Sequence, residues 1–344
     1  MSERIATREG ASPDGSTRGD GPSLRGLAAL HERLPERLLA SMPALLDRDE
    51  IGRLDRMLPR AFRDGCLECR LDGSQETFDL WATIPAEAPA MNACRVALAE
   101  PSWAASPGWE GLEAVLTHWS AAPSSDALGG PSRDLFLEFD LSRAGRQSAA
   151  APIVVAMLAP ADRHVAADRH ARIVRYWEIV SGRGMGADLA RDLGEVLSAL
   201  GPSQHVRHVY VLTGRPSEEL RLVITLRTPG VVPLLERLAW QGPLEHVAAT
   251  LRATARHCLV VGLQIDVESH ATGRVSVELH GSDADAWRRT LDHLQAQSVC
   301  TRAWRSAIEA WLDRGMDPPS RDLMIKLGFG PAGDISAKAY FIFT

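Results

Sequence analysis

Of the 38 basic residues in this 344-residue chain only two are lysines, Lys326 and Lys338, and only three tyrosines occur, Tyr176, Tyr210 and Tyr340. Two lysines and a tyrosine therefore fall between positions 326 and 340 of a sequence that otherwise uses arginine for positive charge. Lys326 and Lys338 belong to the two arms of one hairpin, each on its polar face. There they make either an anion clamp or cross-strand pairs with Asp322 or Glu278. Glu138 sits in the strand run Phe136-Leu137-Glu138-Phe139-Asp140, a position for a general base or for a solvated strand carboxylate. His208 and His280 share the polar strand faces, as acid–base groups or as hydrogen-bonded structural histidines.

Other motifs carry no chemistry. Cys66-x-x-Cys69 has no second Cys/His pair after it, and alternation sends its two thiols to opposite faces of a strand, which excludes a zinc or redox site. Gly182-Arg183-Gly184-Met185-Gly186 joins two helices rather than a strand to a helix, so it reads as a turn. Neither a Gly-x-Ser-x-Gly elbow nor a His-Glu-x-x-His pair occurs.

The elements that position these residues alternate regularly. Residues 1–23 are polar, without periodicity, and read as a disordered tail. Helical spacing of leucines begins at Leu24, and a second short helix spans Ile51 to Phe62. Five hairpins follow, with arms Cys66–Leu71/Thr77–Ile84, Asp134–Leu141/Pro152–Leu158, Val206–Thr213/Leu220–Arg227, Cys258–Glu268/Gly273–His280 and Asp322–Gly328/Ile335–Phe343. Helices separate them: Ala90–Ala99, Trp109–Ser120, His164–Val180, Gly186–Leu200, Val231–Trp240, Pro243–Ala255, Asp283–Gln297 and Thr301–Asp313. Hairpins imply antiparallel pairing and exclude a doubly wound parallel sheet.

Each strand has one apolar face. Leu220, Leu222, Ile224 and Leu226 oppose Arg221, Val223, Thr225 and Arg227; Leu259 to Val267 in alternation oppose Gln264, Asp266 and their neighbours; Val277 and Leu279 oppose Glu278 and His280. The apolar faces belong against helices. The polar faces then meet water in an open α+β sheet or line the lumen of a closed barrel, and ten strands enclose more room than the eight that side chains just fill.

Composition narrows the class. The net charge is −6, which argues against a nucleic-acid partner. No apolar run spans a membrane, and Met1 to Pro22 lacks a signal core, so a cytoplasmic protein is expected. The odd count of five cysteines excludes a disulfide scaffold.

Repeated α-β-β-α order from residue 25 to 344 resembles the ABBA aromatic prenyltransferases. Phe136-Leu137-Glu138-Phe139-Asp140-Leu141-Ser142 is similar to the glutamate strand of their dimethylallyl-tryptophan-synthase branch. Lys338-Ala339-Tyr340 is similar to their lumen-facing Lys-x-Tyr pairs, and His208-Val209-Tyr210 is similar with histidine replacing the base. The resemblance implies an α+β PT barrel over residues 24–344, one domain: ten antiparallel strands closed from five hairpins inside a ring of helices. It implies a metal-independent prenyltransferase of natural product biosynthesis. An allylic group, dimethylallyl or longer, would pass from its diphosphate to an aromatic small molecule or peptide side chain, with no cofactor required.

The roles that follow are Glu138 as base; Arg221, Arg227, Lys326 and Lys338 on the diphosphate; and Tyr210, Tyr340 and Trp81 as the shield of the cation. His208, Gln264, Asp266, Glu278 and His280 complete the lumen. Two features depart from the family: few lumen tyrosines, and many carboxylates, among them Asp79, Asp140 and Glu268, that compete with a diphosphate for the arginines. They favour the alternatives of the same barrel acting on a cationic or peptide substrate, or binding a ligand without catalysis. The sequence assigns no oligomeric state.

Overall fold

The computed structural model describes residues 65–73, 78–85, 92, 95–96, 109–121, 134–140, 153–157, 166–212, 220–281, 283–313 and 323–343. The N-terminal tail, the helices expected at Leu24–Leu39 and Ile51–Phe62, and nearly all of the one expected at Ala90–Ala99 lie outside these residues. The strands are β1 (Gly65–Arg70), β2 (Phe78–Pro85), β3 (Asp134–Asp140), β4 (Ile153–Met157), β5 (His205–Val211), β6 (Leu220–Arg227), β7 (Val260–Asp266), β8 (Val275–Leu279), β9 (Leu323–Phe329) and β10 (Ile335–Phe343). The helices are α1 (Trp109–Ala121), α2 (Ala166–Ser181), α3 (Ala187–Ser198), α4 (Val231–Arg237), α5 (Leu244–Thr254), α6 (Ala284–Ala296) and α7 (Arg302–Leu312). None of the described helices is long and apolar enough to cross a membrane.

The sheet is antiparallel throughout and runs β1-β10-β9-β8-β7-β6-β5-β4-β3-β2, curling until β1 pairs with both β2 and β10 and the order closes as a barrel. The two-residue period of the strands then separates two interiors. Leu67, Leu135, Leu137, Val209, Leu222, Ile224, Leu263, Ile265, Ile325, Leu327, Ala339 and Phe341 share one continuous core with helix residues such as Leu193, Leu234, Trp287 and Trp311. Tyr210, Leu212 and Val223 form a second, smaller cluster with Trp81 and Phe136 on the other face. Side-chain caps fix the starts of α6 and α7: Asp283 accepts from the Ala286 amide at 2.7 Å and Thr301 from the Trp304 amide at 3.2 Å.

Three local features depart from simple alternation. In β5 the register shifts between Val206 and His208, so Arg207 is an extra residue. The bulge lets Val206 join the helix-facing core while His208 and Tyr210 face inward. Leu259, expected on the apolar face of its strand, is 73% exposed because the ladder begins only at Val260. The helix expected to reach Trp240 stops at Arg237. Ala239 turns left-handed there (φ 51°), and the Trp240 amide returns to the Leu235 carbonyl at 3.0 Å. The Trp240 indole then donates to the Gly273 carbonyl at 2.9 Å.

The end of α6 repeats this device, with Ser298 at φ 58° and the Val299 amide on the Leu294 carbonyl at 2.9 Å. A side chain in the left-handed region costs roughly 1–2 kcal/mol, part of which glycine returns as backbone entropy on unfolding. Ala239→Gly is therefore expected to stabilise the protein by about 0.5–1 kcal/mol. The midpoint of urea unfolding checks this; an unchanged or lowered midpoint contradicts the strain.

Candidate functional site

The inward faces of β10, β1, β2 and β3 bring charge together. Tyr340 lies opposite Glu68, Glu68 opposite Asp79, and Trp81 opposite Glu138 in the ladders. Lys338 lies opposite Lys326. The Lys338 ammonium is hydrogen-bonded to the Glu68 carboxylate and stands 3.7 Å from Asp79. Lys326 Nζ donates to Tyr340 Oη at 2.8 Å and lies 5.4 Å from the centroid of that ring. Tyr340 lies directly opposite Glu68 in the β1–β10 ladder.

Burial would raise the Glu68 carboxyl, but Lys338 and Lys326 outweigh it and hold it at about 2. Glu138 goes the other way: burial and the Glu68 charge raise it, and the nearby cations only partly offset them. Lys326 is lowered by burial and by Lys338 against the pull of Glu68 and Glu278. Lys338 is raised because Glu68 and Asp79 overcome its burial. Ligand oxygens of Glu68, Asp79 and Glu138 lie within 4.8 Å of one another, a spacing that could hold a cation, and Lys338 already supplies positive charge to two of them.

An aromatic wall faces these charges. Trp81 packs edge-on against Tyr210 (centroids 5.6 Å, 73°) and Tyr340 (6.1 Å, 82°) and tilted against Phe136 (6.4 Å, 57°). His208 lies 5.8 Å from Phe136 and 6.3 Å from Tyr210. Arg221 grips Asp266 through two hydrogen bonds, 2.5 and 3.2 Å, on the same inner face.

The structure thus gathers Glu138, Lys326, Lys338, Tyr210, Tyr340, Trp81, His208, Gln264, Asp266, Glu278 and Arg221 on the inner face. Arg227 is not among them: it ends β6 at the rim and is exposed. His280 follows β8 at the rim, its side chain 36% exposed and 3.5 Å from Glu278. His208 cannot replace a cationic base. Burial, aided by Arg207, pushes its imidazole down to about 3, so it is neutral near pH 7. Lys338 pairs with Glu68 rather than with Glu278, while Lys326 lies opposite Glu278 in the β8–β9 ladder, as the cross-strand reading expects; Asp322 lies outside the described residues. Glu68 is the site residue that sequence reasoning missed. The signal for it is alternation: Leu67 and Cys69 take one face of the strand and Glu68 and Arg70 the other.

No protein-family model and no curated protein matches the sequence. Solved structures do match. The 5-dimethylallyltryptophan synthase of Streptomyces coelicolor is 14% identical with a TM-score of 0.53, over 92% of this chain and 97% of that one. The 6-dimethylallyltryptophan synthase of Micromonospora olivasterospora, in complex with DMASPP and Trp, is 13% identical with a TM-score of 0.60 over the same shares. A further 6-dimethylallyl tryptophan synthase is 15% identical with a TM-score of 0.58, over 92% and 96%. At these identities the likeness establishes the fold: this chain has the fold of the ABBA aromatic prenyltransferases.

The Lys338–Glu68 pair yields a test of the site's electrostatics. Removing one partner of a buried pair leaves an uncompensated charge and costs about 3–5 kcal/mol. Lys338→Ala should destabilise by about that amount, and adding Glu68→Gln to it should recover more than half. Denaturant unfolding of both variants measures this. A double variant no more stable than Lys338→Ala would show that the two side chains are not coupled.

Proposed function

We propose that the chain is an aromatic prenyltransferase of the PT-barrel type, moving an allylic group from its diphosphate to an aromatic acceptor. A metal-independent reaction in cytoplasmic natural product biosynthesis is part of the same reading. The observation that carries it is Glu138, a buried carboxylate with a raised pKa facing an aromatic wall in a barrel of this fold.

In this reading the donor's C–O bond breaks to give an allylic cation and diphosphate. Lys326, Lys338 and Arg221 receive the leaving group, the latter two by exchanging Glu68 and Asp266 for phosphate oxygens. Trp81, Tyr210 and Tyr340 present ring faces to the cation and keep water from it. The acceptor ring attacks the cation, and Glu138 takes the ring proton that restores aromaticity. The Lys338 ammonium between Glu68 and Asp79 supplies charge that a metal ion would otherwise bring.

Incubation with dimethylallyl diphosphate and a panel of aromatic acceptors, tryptophan included, should give a product heavier by one prenyl group, with turnover unchanged by a chelator. No product with any acceptor, together with no binding of the thiolo analogue DMASPP, removes the reading.

Roles divide between two variants. Lys326→Gln should weaken DMASPP binding, because Lys326 contacts the leaving group in ground and transition states alike. Glu138→Gln should leave that binding nearly intact and lower single-turnover prenyl transfer about 10²–10⁴-fold. Equal loss of donor affinity in both contradicts the division. The base must be ionised, so the wild-type rate should fall as pH drops through the Glu138 pKa. The midpoint of that limb should lie above the roughly 4.3 of an ordinary glutamate. A limb at or below that value, or one that persists in Glu138→Gln, assigns the base elsewhere.

A further inference from the structure

We propose that Lys326 is a carbonyl-reactive amine: it condenses with a small aldehyde in the lumen to form an imine, with the Tyr340 hydroxyl as the acid that releases water. The reaction needs neither a prenyl donor nor an acceptor, so it stands or falls separately from prenyl transfer.

The geometry sets the two lysines of the chain apart. They lie directly opposite one another in the β9–β10 ladder, which brings their stems to about 5 Å apart on one inner face. Lys338 is held charged, hydrogen-bonded to Glu68 and 3.7 Å from Asp79. Lys326 forms no ion pair among the described residues, and its hydrogen bond there is to Tyr340 Oη, at 2.8 Å. Glu278, opposite Lys326 in the β8–β9 ladder, stands 3.5 Å from His280 instead. Lys326 is buried, whereas the Lys338 side chain is 26% exposed. A lysine that is desolvated and set beside a second, fixed cation has its lone pair freed for attack on a carbonyl. Burial lowers its pKa and Lys338 adds to the fall; Glu68, Glu278 and Glu138 pull the other way without restoring it.

The surroundings also suit the later steps. The Lys326 lone pair attacks the carbonyl carbon, and a C–N bond forms as the C=O electron pair passes to oxygen. Nitrogen gives up a proton and oxygen takes one, which leaves a neutral carbinolamine. Tyr340 then protonates that oxygen, the C–O bond breaks and water departs. The resulting iminium returns a proton to the tyrosinate, so amine and aldehyde become imine and water with no oxidant or reductant. Burial, with Glu68 and Glu138, holds the Tyr340 phenol in its protonated form, ready to donate. Glu68 and Glu278 are held below the usual carboxylate range by neighbouring donors and cations despite their burial, so both carry the negative charge that steadies the iminium.

The test uses the full chain, whose amines are these two lysines and the N-terminus, so peptide mapping resolves every product. The probe is acetaldehyde, quenched at intervals in borohydride, which adds hydride to the imine and fixes it as an ethylamine. At pH 7 the initial rate at Lys326 should exceed that at Lys338 at least about tenfold, the factor for each unit by which their pKa values differ. Accessibility alone would give the reverse order, because Lys338 is the more exposed. In urea the preference should vanish. The Lys326 rate should rise with pH as the ammonium loses its proton, with a midpoint below the roughly 10.4 of an ordinary lysine. Tyr340→Phe should slow the plateau rate at Lys326 about 10²-fold, while the N-terminal amine reacts as before. Lys338 reacting as fast as Lys326, ethylation of the N-terminus with none at Lys326, a preference that persists in urea, or a midpoint at or above the ordinary value overturns the proposal. A folded Tyr340→Phe with the wild-type rate overturns the role of Tyr340; if that variant does not fold, the wild-type mapping and pH profile decide.

Discussion

A β-strand presents its side chains with a period of two, and in a curled sheet covered by helices that period leaves the second face nowhere to go but inward. Everything specific to this molecule follows from that constraint. Odd positions of β10 such as Ala337, Ala339 and Phe341 are small or apolar and pack toward the helices, while Lys338 and Tyr340 between them are committed to the interior. The same rule on β1 gives Leu67 and Cys69 to the core and Glu68 to the lumen. A one-residue slip would exchange core for site at every position, so the packing that stabilises the fold also holds the register of the inner groups.

Placing charge on an enclosed face is costly, and the molecule meets that cost by pairing across strands. Glu68 is the hub: Lys338 binds it from β10, Tyr340 faces it from the same strand, and Asp79 on β2 shares its cation. Burial, together with the charge of the firmly ionised Glu68, holds Glu138 toward its protonated form. Two carboxylates a few ångströms apart thus differ in character because one has a resident ammonium and the other has none. His208 shows the same physics without a hydrogen-bond partner among the described residues, its charge removed by burial.

Much of this was legible in the amino-acid order. Five hairpins, their antiparallel pairing and the apolar face of nearly every strand follow from alternation, and the bounds expected for β6 and β10 coincide with those observed. What alternation cannot show is where it breaks. The bulge at Arg207 is a property of the β5–β6 pairing, and without it Val206 and His208 would share a face. Arg227 and Leu259 were assigned by parity alone, but parity carries no information about where a ladder ends, and both fall at its rim. The left-handed Ala239 and Ser298 have no local signature, since neither is glycine or asparagine. Nor does sequence reveal which carboxylate a lysine chooses: Glu68 is distant in the chain from Lys338 and becomes its partner only when β1 meets β10.

That meeting has a consequence for how the protein comes into being. β1 pairs with β10 from Gly65 opposite Phe343 to Arg70 opposite Lys338, so one seam joins strands made far apart in time on the ribosome. Until β10 emerges, β1 has an unpaired edge and Glu68 lacks its counter-ion, a state open to mispairing with other chains. The last seam to zip is also the one that brings Lys338 and Tyr340 to the lumen. The nascent chain therefore completes its lumen only when β10 brings these two residues to Glu68, and such long-range pairing favours a slow or chaperoned closure.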